Sequence, residues 1–198
     1  MHRSPTARLF VAVDPPADVR EQLAAWARAA TREMSRRSVA PPRVLDVELL
    51  HVTLCFLGSR PVEEIEQIAR RLLTCSGPVG ELSVGAPLWL PPRRPRALAV
   101  ELHDGGGRLA TLQRGLAAAI EVDGEPAGAE GGPAAPAGHR RFRPHITLAR
   151  MRSDSRPRER TLPPTPALSF VPNEMVLYRS WLSPEGASYE ALAACPIG

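Results

Sequence analysis

Leu50-His51-Val52-Thr53-Leu54-Cys55-Phe56-Leu57-Gly58 is an apolar run interrupted at His51 and again at Thr53. Alternation of period two predicts a strand over Leu49–Leu57, closed by Gly58. On such a strand His51 and Thr53 share one face, while Val52 and Leu54 point into a core. Phe142-Arg-Pro-His-Ile-Thr-Leu-Ala-Arg150 repeats the centre as His145-Ile146-Thr147-Leu148, 94 positions further on (145 minus 51). A single His-x-Thr is weak evidence of anything, because His and Thr occur together on ordinary strands. Two copies with the same Thr-Leu continuation, each on a strand that follows a helix, are far more specific. If the two halves face one another, two imidazoles and two hydroxyls line one groove.

Working outward, Arg8–Val13 reads as a first strand. Asp14 offers an N-cap and Pro15-Pro16 a helix start. Val19, Leu23, Ala27, Ala30 and Met34 recur at helical steps up to Ser35. A second helix opens at Ser59 and Pro61, with Val62, Ile65, Ile68, Leu72 and Leu73 on its buried face. Leu82–Leu90 and Ala97–Leu102 are strands around a Pro-Arg-rich turn. A third helix spans about Gly106–Val122 on Leu109, Leu112, Leu116 and Ile120. Asn173–Leu182 and Ala187–Cys195 form a hairpin around Ser183-Pro-Glu-Gly186. Asp123–His139 holds only small, polar and Pro residues, and reads as a flexible insertion. The mixed order of strands and helices predicts an α+β fold, in one domain covering residues 1–198.

The chain has 198 residues, and its 25 basic residues are all Arg, with no Lys. That excludes Schiff-base chemistry, a Walker A loop and a lysyl-adenylate ligase. Guanidinium suits phosphate, but an Ala-, Arg- and Pro-rich chain without Lys reads mainly as compositional background. Cys55, Cys75 and Cys195 are odd in number and form no C-x-x-C, which fits a reducing compartment, the cytoplasm. No leader and no membrane segment is expected.

Two imidazoles serve as base and acid in one step, and two hydroxyls donate to the non-bridging oxygens of a phosphate. Such a site cleaves a phosphoester and needs neither metal nor cofactor. No H-E-x-x-H and no carboxylate adjoins either His in sequence, which disfavours a zinc hydrolase; no G-x-S-x-G is present. A protein that only grips phosphate is the rival, although Arg would grip more strongly than His. His103 reads as an exposed turn residue. Cys55 has the parity of His51 and belongs near the groove as a small packed residue. Tyr178 and Tyr189, in the final hairpin, read as core residues in preference to groove-edge ones.

In four stretches the chain resembles the RNA 2′,3′-cyclic phosphodiesterase family, also called 2′-5′ RNA ligases, of the two-histidine phosphoesterase superfamily. These are Arg8-Leu-Phe-Val-Ala-Val13, the two His-x-Thr stretches, and Val176-Leu-Tyr-Arg-Ser180 leading to Gly186-Ala-Ser-Tyr189. The Asp123–His139 insertion departs from the pattern, as does the lack of a Trp in Arg43-Val-Leu-Asp-Val-Glu48. The resemblance implies a bilobal, duplicated fold, with two antiparallel sheets facing across a central groove and helices outside. It implies hydrolysis of RNA or nucleotide 2′,3′-cyclic phosphate ends to a 2′-phosphate, without metal, by a monomer. It makes His51 the general acid and His145 the general base, with Thr53 and Thr147 holding phosphate oxygens. Phe56 and Arg150, each five residues after its His, would flank the terminal base, and Arg150 would also reach the phosphate. Parity opposes that last transfer, since a straight strand turns both to the other face.

Overall fold

Alternating burial carries the predicted strands into one antiparallel sheet. The computed structural model describes residues 4–35, 42–75, 77–121, 142–151, 161–183 and 186–197. The expected insertion at 123–139 and the turn residues 184–185 lie outside them. In order, the chain forms β1 (Thr6–Val13), α1 (Ala17–Ser35), β2 (Arg43–Val44) and, after a 3-10 turn at Val47–Leu49, β3 (Val52–Pro61). A second 3-10 turn at Val62–Glu64 leads into α2 (Ile65–Thr74), β4 (Leu82–Leu90), β5 (Ala97–Asp104) and α3 (Arg108–Glu121). β6 (His145–Arg150), β7 (Ser169–Phe170), β8 (Glu174–Ser183) and β9 (Gly186–Pro196) complete the order.

The strand order is β7-β4-β5-β6-β3-β1-β8-β9, with β2 paired to β6. The two separate sheets expected from the resemblance are therefore corrected to one hydrogen-bonded sheet. Its halves are joined where β3 meets β6, through a single registered pair, Val52 with Ile146. Both side chains are fully buried, so the join is held by the core beneath it. Each half carries the chain from an inner strand through a helix to a histidine strand: β1-α1-β3 and β5-α3-β6.

Core-facing residues of β1 (Leu9, Val11, Val13) pack with Val19, Leu23 and Ala27 of α1 and with Leu109, Leu116 and Ile120 of α3 in one cluster. Burying each large apolar side chain among them contributes about 1.5–3 kcal/mol. The α2 face is narrower than its periodicity suggests: Ile68 and Leu72 are buried, but Leu73 is 60% exposed. Both oxygens of the Asp104 carboxylate anchor α3, accepting from the amides of Arg108 (3.1 Å) and Ala110 (3.0 Å). A negative group there suits the helix N-terminus.

Three sequence expectations are corrected locally. Asp14 does not cap α1, which begins at Ala17; its carboxylate is engaged by Tyr178 instead. Gly58 does not end β3, because its φ of +69° lets the strand bend and run on to Pro61. His103 is exposed as expected but stands on β5, where its ring covers Gly85; an added Cβ would come within 2.5 Å of its Nε2.

Candidate active site

The Val52–Ile146 pair fixes the geometry of the histidines. In an antiparallel pair, one step along each strand sets His51 opposite Thr147 and Thr53 opposite His145. Val52 and Ile146 point into the core, so these four side chains occupy the other face, where all four are half-buried. The two histidines lie on one diagonal of a four-residue patch and the two threonines on the other. Directly opposed side chains in such a pair sit about 5 Å apart at Cβ.

Each imidazole is held in the same way. His51 Nδ1 lies 2.8 Å from the carbonyl of Leu49, and His145 Nδ1 lies 2.8 Å from the carbonyl of Arg143. A carbonyl only accepts, so each Nδ1 carries a hydrogen and donates it. That fixes the tautomer and leaves each Nε2 as the nitrogen able to give or take a proton. The backbone supplies the acceptor two residues upstream in both copies, from a 3-10 turn before β3 and from the Arg143-Pro144 lead-in before β6.

Bulges overturn the parity argument. Between β1 and β3, Ala12 pairs with Thr53 and Val11 with Cys55, so Leu54 is an extra residue. Between β5 and β6, Ala99 pairs with Thr147 and Leu98 with Ala149, so Leu148 is the extra residue. Each bulge resets the alternation. Phe56, paired with Phe10, and Arg150, paired with Ala97, thereby return to the histidine face. Cys55 goes the other way and packs against the main core, correcting its expected place near the groove.

The surroundings of the two histidines differ. Phe10 lies 4.9 Å from the His51 ring and Tyr189 stands edge-on at 5.3 Å, centroid to centroid. Phe10 also touches Phe56 (6.3 Å) and stacks on Tyr178 (5.2 Å). Tyr178 and Tyr189 therefore belong to the histidine face rather than to the core. The Tyr178 hydroxyl donates to Asp14 Oδ2 at 2.6 Å. Burial first, and this bond to a carboxylate second, push that phenol well above its ordinary range. Beside His145 the neighbours are charged. Glu101 is its registered partner on β5, and Arg143 Nη2 donates to Glu101 Oε1 at 3.4 Å.

Phe10, Arg143, Glu101 and Asp14 were not singled out in the sequence as site residues. Phe10 sits in an unbroken apolar run, and Glu101 reaches His145 from another strand. Among the described residues, no group of three or more His, Cys, Asp or Glu side chains is arranged to hold a metal ion.

Two imidazoles held through Nδ1, each leaving Nε2 to give or take a proton, and two hydroxyls share one antiparallel face. The chain belongs to the 2′-5′ RNA ligase superfamily, whose profile matches residues 15–180. It is 32% identical over 189 residues to the RNA 2′,3′-cyclic phosphodiesterase of Thermus thermophilus, covering 93% of this chain and 87% of that one. The crystal structure of TT0787 from T. thermophilus matches with a TM-score of 0.73 at 28% identity, covering 96% of this chain and 97% of the other. E. coli LigT complexed with 3′-AMP matches with a TM-score of 0.76 at 25% identity, covering 98% and 99%.

Proposed function

We propose that this chain hydrolyses RNA or nucleotide 2′,3′-cyclic phosphate ends to 2′-phosphates by acid–base catalysis on His51 and His145. The observation that carries the reading is the pairing of two His-x-Thr units on one face, each imidazole held through Nδ1 by a backbone carbonyl two residues upstream. The activity named for the T. thermophilus relative supports it. His145 takes a proton from water as the water oxygen attacks phosphorus. The P–O3′ bond breaks, and His51 gives its proton to O3′. Thr53 and Thr147 donate to the non-bridging oxygens. Phe56 offers an aromatic surface to the terminal base; Arg150 flanks the base and reaches the phosphate.

The proposed working unit is a monomer of one bilobal domain, whose two halves form the walls of the groove. It acts without metal in a reducing cytoplasm. No described helix is long and apolar enough to cross a membrane. Ligation by this chain is the reverse reaction, joining a 2′,3′-cyclic end to a 5′-hydroxyl without ATP, because no Lys exists to carry an adenylate.

Product analysis on an RNA ending in a 2′,3′-cyclic phosphate tests the reading. A 2′-phosphate formed in excess EDTA is expected. A 3′-phosphate reverses the assignment of the leaving group, and no turnover removes the enzyme reading.

A further inference from the structure

The registers of the two inner strand pairs match residue by residue. Ala12 faces Thr53 as Ala99 faces Thr147, Val11 faces Cys55 as Leu98 faces Ala149, and Phe10 faces Phe56 as Ala97 faces Arg150. One step in the other direction, Val13 faces Val52 as Val100 faces Ile146. The next position holds Glu101 opposite His145 and, by count, Asp14 opposite His51. A carboxylate thus stands across the strand pair from His145, and in the other half Asp14 and His51 are the residues next beyond the last registered pair, Val13 with Val52; no carboxylate adjoins either histidine along the chain.

Each carboxylate has its own anchor. Asp14 accepts from the Tyr178 hydroxyl, and Glu101 accepts from the Arg143 guanidinium. Arg143 has two tasks, since its carbonyl also receives the Nδ1 hydrogen of His145. One residue therefore fixes the imidazole and the acid beside it.

We propose that Glu101 is a positioning residue for His145, stabilising the imidazolium that forms there as water is deprotonated, with Asp14 as its counterpart at His51. The inference rests on the acid–base reading above. An opposite charge within about 4–6 Å favours the charged form of a titrating group. In the proposed reaction the positive charge leaves His51 and arises on His145. Glu101 therefore acts on the state that is being formed, which lowers the barrier rather than tightening substrate binding.

The experiment compares wild type, Glu101→Gln, Glu101→Asp and Asp14→Asn. Two substrates are used: a nucleoside 2′,3′-cyclic phosphate and its analogue with sulfur at the bridging 3′ position. Thiolate leaves without a proton, so the analogue bypasses the general acid but not the base. Glu101→Gln is expected to lower kcat about tenfold on both substrates, with KM within about twofold, and Glu101→Asp is expected to recover part of the rate. The Asp14→Asn defect should appear with oxygen and vanish with sulfur. An unchanged kcat in Glu101→Gln, or a loss confined to KM, overturns the proposal. An inactive wild type overturns the acid–base reading itself.

Discussion

Leu54 and Leu148 are equivalent: each is the extra residue of a bulge directly after the threonine of a histidine strand, skipped in the register with β1 and with β5 respectively. Both side chains are buried, at 4% and 0% exposure. The bulge is therefore driven into the core, and the residues beyond it are turned round. Leu148→Ala should cost about 2–5 kcal/mol, read as a lower denaturation midpoint with an unchanged m-value. A change below about 0.5 kcal/mol would mean that Leu148 does not anchor the bulge.

Replacing either histidine removes a proton carrier. His51→Ala and His145→Ala are each expected to lower cyclic-phosphate turnover by about 10²–10⁴-fold without altering the melting curve. In wild type, rate against pH should be bell-shaped, since one imidazole must start neutral and the other charged. Near-normal turnover in either variant would remove that residue from the mechanism.

Phe56→Ala and Arg150→Ala probe the turned-back positions. Losing an aromatic stacking surface costs about 1–3 kcal/mol of binding per base, so KM for a cyclic nucleotide should rise about tenfold in Phe56→Ala. Arg150→Ala should raise KM and weaken its dependence on salt. Unchanged KM in both would mean that neither side chain meets substrate.

Tyr178 predicts a behaviour at alkaline pH. Its phenol is held above its unfolded value, mainly by burial and then by Asp14. The folded state therefore keeps a proton that the unfolded state releases near pH about 10. Below that pH the contribution is fully present; above it, stability falls as pH rises. Urea midpoints measured from neutral pH upward should show this decline, and Tyr178→Phe should flatten it. Equal slopes in the two proteins would place the alkaline weakness elsewhere.

Helical periodicity and strand alternation made the three helices and the long strands readable, because a buried face must repeat at the period of its element. The two-residue strands β2 and β7 are too short to show any period. Phe56, Arg150 and Cys55 were misdirected by parity, because Leu54 and Leu148 look like any core leucine and the bulge is visible only in the partner strand. Gly58 looks like a stop in the sequence because a left-handed backbone breaks alternation without always breaking a strand. Glu101 was invisible for a different reason: it lies 44 positions before His145 (145 minus 101) and meets it only through the β5–β6 register.

β1 lies between β3 and β8, and Arg8 on β1 is bonded through its carbonyl to Ser180, 172 positions away. During synthesis β1 therefore emerges long before β8, the strand it pairs with. Pairings over such separations close slowly, and an unfinished chain leaves β1 with one open edge, a surface on which nascent chains associate. In the other half β4, β5, α3 and β6 follow one another along the chain, and only the two-residue β7 arrives late. On the ribosome, the surroundings of His145 can form first, while those of His51 are completed only when Tyr178 and Tyr189 arrive.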